Sequence, residues 1–269
     1  MYIQYFFLAV ILAASTLVSS LIFWILLKRK VHFFPVLKLF CVSASLNRLL
    51  LTGSGYAVLS WRLKMAGISI HTSLAVSAVS EFLSIAPWLI LGIYYGSSVA
   101  VQIPWAVIVL SVLIVFFLIL KLKHLRDFVG KVIGYIRETK VFIIISLPFV
   151  IINVVLVSVY YLLLVHIFHF DFDLLQIIRI VAVSIAAGYL SPVPSGIGIK
   201  EGSLIYLLMR EGGGFQNSAV FAFTDRLIVT VFYIAAGFIT GSDIIIGELK
   251  KKYFKQKDPD CSPGRSTDG

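Results

Sequence analysis

The stretch Gly188 to Gly202, GYLSPVPSGIGIKEG, gathers residue types suited to holding an anion. Pro192 and Pro194 end a helix, because proline lacks an N–H and disfavours helix in the residue before it. Gly196 and Gly198 then permit a tight turn and close approach of a ligand. Lys200 and Glu201 open the next helical run, whose first N–H groups have no partner within the helix and carry the positive end of its dipole. A phosphate suits such an end. The plainer reading is a hinge alone, with Lys200 reaching for the interface and Glu201 offsetting the dipole.

A second constellation lies earlier, where Asn47 and Arg48 precede Thr52-Gly53-Ser54-Gly55 and then Arg62. A guanidinium grips phosphate with two parallel hydrogen bonds, which an ammonium does not match. Arg62 has the alternative of extending to the lipid headgroups. Three further ions, Glu81, Asp225 and Arg226, interrupt apolar runs, where a charge is costly and normally paired. Adjacent helix positions point about 100° apart, so Asp225 and Arg226 do not close on each other. Their partners are sought on other segments: Glu81 with Arg226, and Glu201 with Arg48. Such pairs either staple the structure or handle substrate and protons.

Other chemistry finds little footing. The run HIFHFDFD, residues 166–173, alternates His and Asp with Phe and is read as an interfacial loop with aromatic rings at headgroup depth rather than as a metal site. Cys41 and Cys261 show no zinc spacing and do not suggest a disulfide. No phosphate-binding loop, nucleophile elbow or zinc-protease motif occurs. No metal and no cofactor is expected, and a catalytic role is expected only if Glu81 or Glu201 acts as acid or base in a membrane-embedded transferase.

These residues need elements to position them, and composition defines the setting. Of 269 residues 59% are hydrophobic and 13% charged, and mean hydropathy is +0.99, too apolar for the surface of a water-soluble globule. The excess of 23 Lys and Arg over 13 Asp and Glu, +10 in all, then reads as membrane topology rather than nucleic-acid binding. Runs at about 2–27, 72–100, 104–120, 141–166 and 217–241 are long enough to span, at roughly 20 residues each. The first is read as a retained helix, since no basic segment precedes it and no cleavage site follows. Two stretches, 33–60 and 175–210, are apolar but broken by Gly, Pro and charge, and each has the length of two half-helices.

Basic segments at 28–30, 62–64, 121–140 and 250–257 belong on the cytoplasmic side. The stretch between 28–30 and 62–64 must therefore cross twice or dip in and return. Loops near 101–104, 166–174 and 211–216 contain no Lys or Arg and are placed outside, so the second broken pair enters from the opposite face. The expected fold is an all-α polytopic membrane protein with about five full transmembrane helices and two re-entrant broken-helix pairs, arranged as an inverted repeat. Its halves are about 2–100 and 141–241, within a membrane domain of 1–245. Helix 104–120 and the basic loop 121–140, read as an amphipathic helix on the inner leaflet, join them. A tail, 246–269, is basic and then disordered; the N-terminus is outside and the C-terminus cytoplasmic. A shift of 144 residues lays SLAVSAVSEFL, 73–83, over NSAVFAFTDRL, 217–227, and brings Glu81 onto Asp225.

The segments SPVPSGIGIKEGSLIYLL and FTDRLIVTVFYIAAG, with LNRLLLTGSGYAVLSWRLKMAG in the first half, resemble the membrane domain shared by lysylphosphatidylglycerol synthases and flippase-like proteins. The resemblance extends over most of 1–245. It implies a multi-pass domain of the cell membrane that moves, or helps to move, lipids. The first half departs from the pattern, with no proline beside Asn47. The aminoacyltransferase domain of the full synthases is not recognised, so lysyl-lipid synthesis is not implied. The leading expectation is a flippase for a lipid or a polyprenyl-phosphate-linked glycan, its anionic headgroup held between the broken pairs by Asn47, Arg48, Arg62, Pro192, Pro194, Gly196, Gly198, Lys200 and Glu201. Charge coupling is assigned to Glu81, Asp225 and Arg226. The alternative is a non-transporting subunit that docks a membrane-associated glycosyltransferase or lipid-modifying enzyme through 121–140 and the tail.

Overall fold

A computed structural model describes residues 2–49, 54–98, 123–191 and 196–257. Within them are nine helices and no strand: α1 Tyr2–Leu26, α2 Phe33–Leu49, α3 Ser54–Met65, α4 Ile70–Ser98, α5 Lys123–Glu138, α6 Lys140–Ile167, α7 Leu174–Leu190, α8 Ile199–Arg210 and α9 Phe215–Lys257. The protein is an all-α, multi-pass membrane protein. Four helices, α1, α4, α6 and α9, contain apolar stretches long enough to cross a bilayer. The expected span 104–120, together with Pro192 and Pro194, lies outside the described residues.

Both broken stretches divide as their Gly and charge placement predicts. At 12 residues each, α3 and α8 reach about 18 Å, well short of a hydrocarbon layer roughly 30 Å thick. Neither is long enough to cross alone. The last helix continues beyond its apolar run to Lys257, about 24 Å past Gly241.

Two apolar cores build the bundle, one around each broken pair. The first packs Ile22, Phe23 and Leu26 of α1 against Val36 of α2, Leu59 and Leu63 of α3, Val76 of α4 and Val150 of α6. The second packs Leu8 and Leu12 of α1 against Tyr161 and Leu164 of α6, with α7, α8 and Phe221 of α9. The start of α1 thus meets the end of α6 and its end meets the start of α6. The opening helices of the two halves run antiparallel, as an inverted repeat requires. Ser15 and Asn153 join them near mid-length, Oγ donating to Oδ1 at 2.6 Å in a buried contact.

The large interfaces follow the same exchange of halves. Helix α1 packs on α6, α2 on α9 and α4 on α7; replacing α1, α2, α3 and α4 by α6, α7, α8 and α9 turns each interface into another of the set. Lipid tails are as apolar as the helices, so close packing of small residues drives association more than hydrophobic burial does. At Gly92 an added Cβ would lie 2.5 Å from Ala186 Cβ and 2.7 Å from the Ala182 carbonyl oxygen. At Gly237 it would lie 2.5 Å from Ser45 Cβ and 3.4 Å from the Cys41 carbonyl oxygen. A glycine on the long helix therefore meets residues four apart on the half-helix, twice over.

The amphipathic helix expected in 121–140 is α5, with Ile133 and Ile136 exposed and Tyr135 buried. The Tyr135 hydroxyl donates to the carbonyl of Leu26, one of the acceptors left without a partner at the end of α1. This seats α5 at the basic end of the bundle.

Candidate anion site at the tips of the broken pairs

Each break is closed by its own device. In the first, Asn47 Oδ1 accepts from the backbone N–H of Gly55 at 2.9 Å, tying the end of α2 to the start of α3. Gly55 has no room for a side chain, since a Cβ there would lie 1.9 Å from the Ser43 carbonyl oxygen. In the second, Gly196 and Gly198 take φ of +60° and +82°, in the left-handed region that favours glycine. A Cβ on Gly196 would stand 2.6 Å from the Gly188 carbonyl oxygen. These glycines serve the turn that the sequence assigns them.

The charged residues cluster around the breaks, but not in the expected pairs. Lys200 Nζ lies 3.0 Å from Asp225 Oδ2, and Arg226 donates to Glu201 Oε1 at 2.8 Å, so two ion pairs join α8 to α9. Arg226 therefore goes to Glu201 rather than to Glu81, because residues 25 apart in this hairpin face one another across the α8–α9 contact. Glu201 also accepts from the Gly198 N–H at 2.8 Å. The half-helix N-terminus thus carries a carboxylate of its own, which reduces what the dipole there offers an outside anion.

Glu81 is held by phenols. Tyr56 of α3 donates to its Oε2, and Tyr189 of α7 donates to Oε1 at 3.4 Å. Asp225 receives a phenol as well, Tyr161 of α6 at 3.1 Å, on the same oxygen that Lys200 reaches. Its other oxygen, Oδ1, is buried with no hydrogen-bond partner among the described residues.

Arg48 completes the cluster. Among the described residues it forms no salt bridge; its guanidinium sits 5.5 Å from the ring centroid of Tyr233 on α9, and it lies within electrostatic reach of Tyr160, Tyr161 and Tyr189. The side chain is exposed, as is Tyr189 at 54%. Lys200 makes the matching contact in the other half, 5.7 Å from the Tyr161 ring, but with its charge already answered by Asp225. At 17 residues α2 carries Arg48 more than 20 Å from its first residue.

Arg62 does not join this group. It lies near the far end of α3, beside Phe34, Lys38 and Met65 at the base of the first pair. Sequence alone does not single out the tyrosines. Their one signal there is polar aromatic residues inside apolar runs, as at Tyr160-Tyr161, where a hydroxyl at membrane depth requires a partner. The run HIFHFDFD stacks Phe168, Phe170 and Phe172 and packs Phe168 and Phe170 on Phe221, while Asp173 caps α7 by accepting from the Gln176 N–H at 2.6 Å.

The cluster brings together a cation able to take phosphate, carboxylates held by phenols and two ion pairs at the end of one half-helix. The family described as Lysylphosphatidylglycerol synthase TM region matches residues 1–237 of the chain, a span that contains the whole cluster. No curated protein and no solved structure matches it.

Proposed function

The chain belongs to the lysylphosphatidylglycerol synthase transmembrane-region family, and on that footing we propose that it moves lipids with a phosphate-bearing headgroup across the cell membrane. Polyprenyl-phosphate-linked glycolipids fall within this class. The observation that carries the reading is Arg48: an exposed guanidinium at the tip of a broken helix, not salt-bridged among the described residues, while Lys200 and Arg226 in the same cluster each face a carboxylate. A phosphate monoanion at Arg48 supplies the missing counter-charge through two charge-assisted hydrogen bonds.

In this account the basic end of the bundle is cytoplasmic, which puts the N-terminus outside and the C-terminus inside. The headgroup reaches the tips from either face as the halves rock about the α1–α6 contact, and the close crossings at Gly92 and Gly237 are the surfaces on which the half-helices slide. Glu81 and Asp225 set the local charge.

Lipid that co-purifies with the protein, identified by mass, tests the reading. A phosphate-headgroup lipid retained by the wild type and depleted in Arg48→Gln supports it. Equal retention in both proteins overturns it.

A further inference from the structure

The two halves of the repeat hold equivalent carboxylates in different ways. Glu81 is held by two phenols, Tyr56 and Tyr189. Asp225 has one phenol, Tyr161, and the Lys200 ammonium, both on Oδ2. A further phenol stands close by. The Tyr160 hydroxyl and Asp225 Oδ1 are both buried with no hydrogen-bond partner among the described residues, and the two groups lie within electrostatic reach of each other. A buried donor and a buried acceptor left unanswered are each costly. Turning Tyr160 onto Oδ1 gives Asp225 the two phenols that Glu81 already has.

Lys200 has a second place to go. Its side chain is 25% exposed, and its stem packs beside Gly188, where an added Cβ would stand 3.0 Å from Lys200 Cβ. The next residue, Tyr189, is half-exposed, and its hydroxyl lies within electrostatic reach of both Lys200 and Arg48. The flexible four-carbon stem of a lysine lets the ammonium swing about a fixed Cβ. An anion seated at Arg48 therefore lies within the field of Lys200 as well.

We infer that Lys200 is a movable second ligand for the headgroup: a phosphate at Arg48 that carries a second negative charge draws the ammonium off Asp225, and the Tyr160 hydroxyl takes its place on Oδ1. The exchange rests on the assignment of Arg48 above and narrows the substrate to a chemical class. A phosphodiester has a single charge, which Arg48 answers alone. A phosphate monoester or a diphosphate carries roughly two at neutral pH and has oxygens to spare for another cation. Separating Lys200 from Asp225 is costly unless both find new partners, so a singly charged headgroup leaves the pair closed. Tyr160 is a positioning residue, which serves Asp225 and does not touch the lipid.

Native mass spectrometry of the purified full chain, titrated with phosphatidic acid and with phosphatidylglycerol of the same acyl chains, tests the exchange. The wild type is expected to bind phosphatidic acid about tenfold more tightly, the worth of one charge-assisted hydrogen bond. Tyr160→Phe removes no hydrogen bond present in this structure, so its unfolding temperature stays at or above the wild-type value, yet its preference falls several-fold. Lys200→Gln brings the preference near unity; if that variant fails to fold, Tyr160→Phe decides alone. Equal affinity of the wild type for the two lipids, or an unchanged preference in Tyr160→Phe, overturns the exchange. Displacement of phosphatidic acid by millimolar inorganic phosphate overturns it in favour of a free anion. Arg48→Gln separates the two readings: wild-type binding of both lipids in that variant sinks the Arg48 assignment, whereas loss of both, with the preference intact in Tyr160→Phe, sinks the exchange alone.

Discussion

Glu81 and Asp225 occupy equivalent places in the two halves, and each accepts a hydrogen bond from the residue 25 positions earlier, Tyr56 for Glu81 and Lys200 for Asp225. The geometry is shared while the chemistry differs. Asp225 is paired with a cation, whereas Glu81 is held by two neutral phenols. The first pair ends in an exposed arginine and the second in paired ions, so symmetry of fold carries asymmetry of charge.

Making the first half resemble the second tests that asymmetry. Tyr56→Lys places an ammonium beside Glu81, as Lys200 does beside Asp225. The variant is expected to fold and to translocate lipid more slowly than wild type, because a fixed cation quenches Glu81. Tyr56→Phe removes only the hydrogen bond and is expected to lower stability by about 1–2 kcal/mol. Thermal unfolding and vesicle translocation assays of both variants check this.

Breaking the Lys200–Asp225 pair strands a charge. The Asp225 side chain is 4% exposed and that of Lys200 25%. Asp225→Ala or Lys200→Met alone is expected to cost about 3 kcal/mol, and the two together markedly less than their sum, because a buried pair replaced by apolar groups is often neutral. A double-mutant cycle of unfolding in detergent gives the coupling.

The two glycine crossings are expected to respond alike. Gly92→Val and Gly237→Val each drive a side chain into the facing half-helix, and each should cost about 1–3 kcal/mol as overpacking. Gly96→Val, where a Cβ meets nothing within 4 Å, should cost less than either. Unfolding temperatures of the three variants decide the point.

Docking of α5 is expected to weaken in alkali. Burial, and then the Glu138 carboxylate, raise the Tyr135 phenol above the usual tyrosine value. A folded-state value above the unfolded one gives stability that is complete below the ordinary value of about 10 and is lost as pH climbs towards the raised one. Hydrogen exchange over 126–138 should therefore accelerate above about pH 10 beyond its intrinsic rise, and Tyr135→Phe should remove that extra dependence.

Much of the architecture was legible because the bilayer imposes few solutions. Span length, the distribution of Lys and Arg and the Gly-rich interruptions at 50–55 and 192–198 define α1, α4, α6, α9 and the two pairs. The acids Glu81 and Asp225 stood out by their cost in an apolar run. Their partners did not, since helical periodicity reports which face a residue occupies and not which distant element covers it. Tyr189 reaches Glu81 from 108 residues away, and Tyr161 reaches Asp225 from 64. Arg62 was grouped with Arg48 by proximity in sequence, but the rise along α3 separates it from the tip by roughly 12 Å. Glu201, read as a contact for the headgroup, spends its carboxylate on Gly198 and Arg226.

Under the proposed function Arg48 holds the headgroup phosphate during translocation, and transbilayer movement of a fluorescent phosphate-headgroup lipid in vesicles containing the purified protein is the decisive assay. Transport by the wild type, loss of at least tenfold in Arg48→Gln and partial activity in Arg48→Lys are expected, with all three proteins folded. Arg48→Gln moving the lipid at the wild-type rate would contradict it.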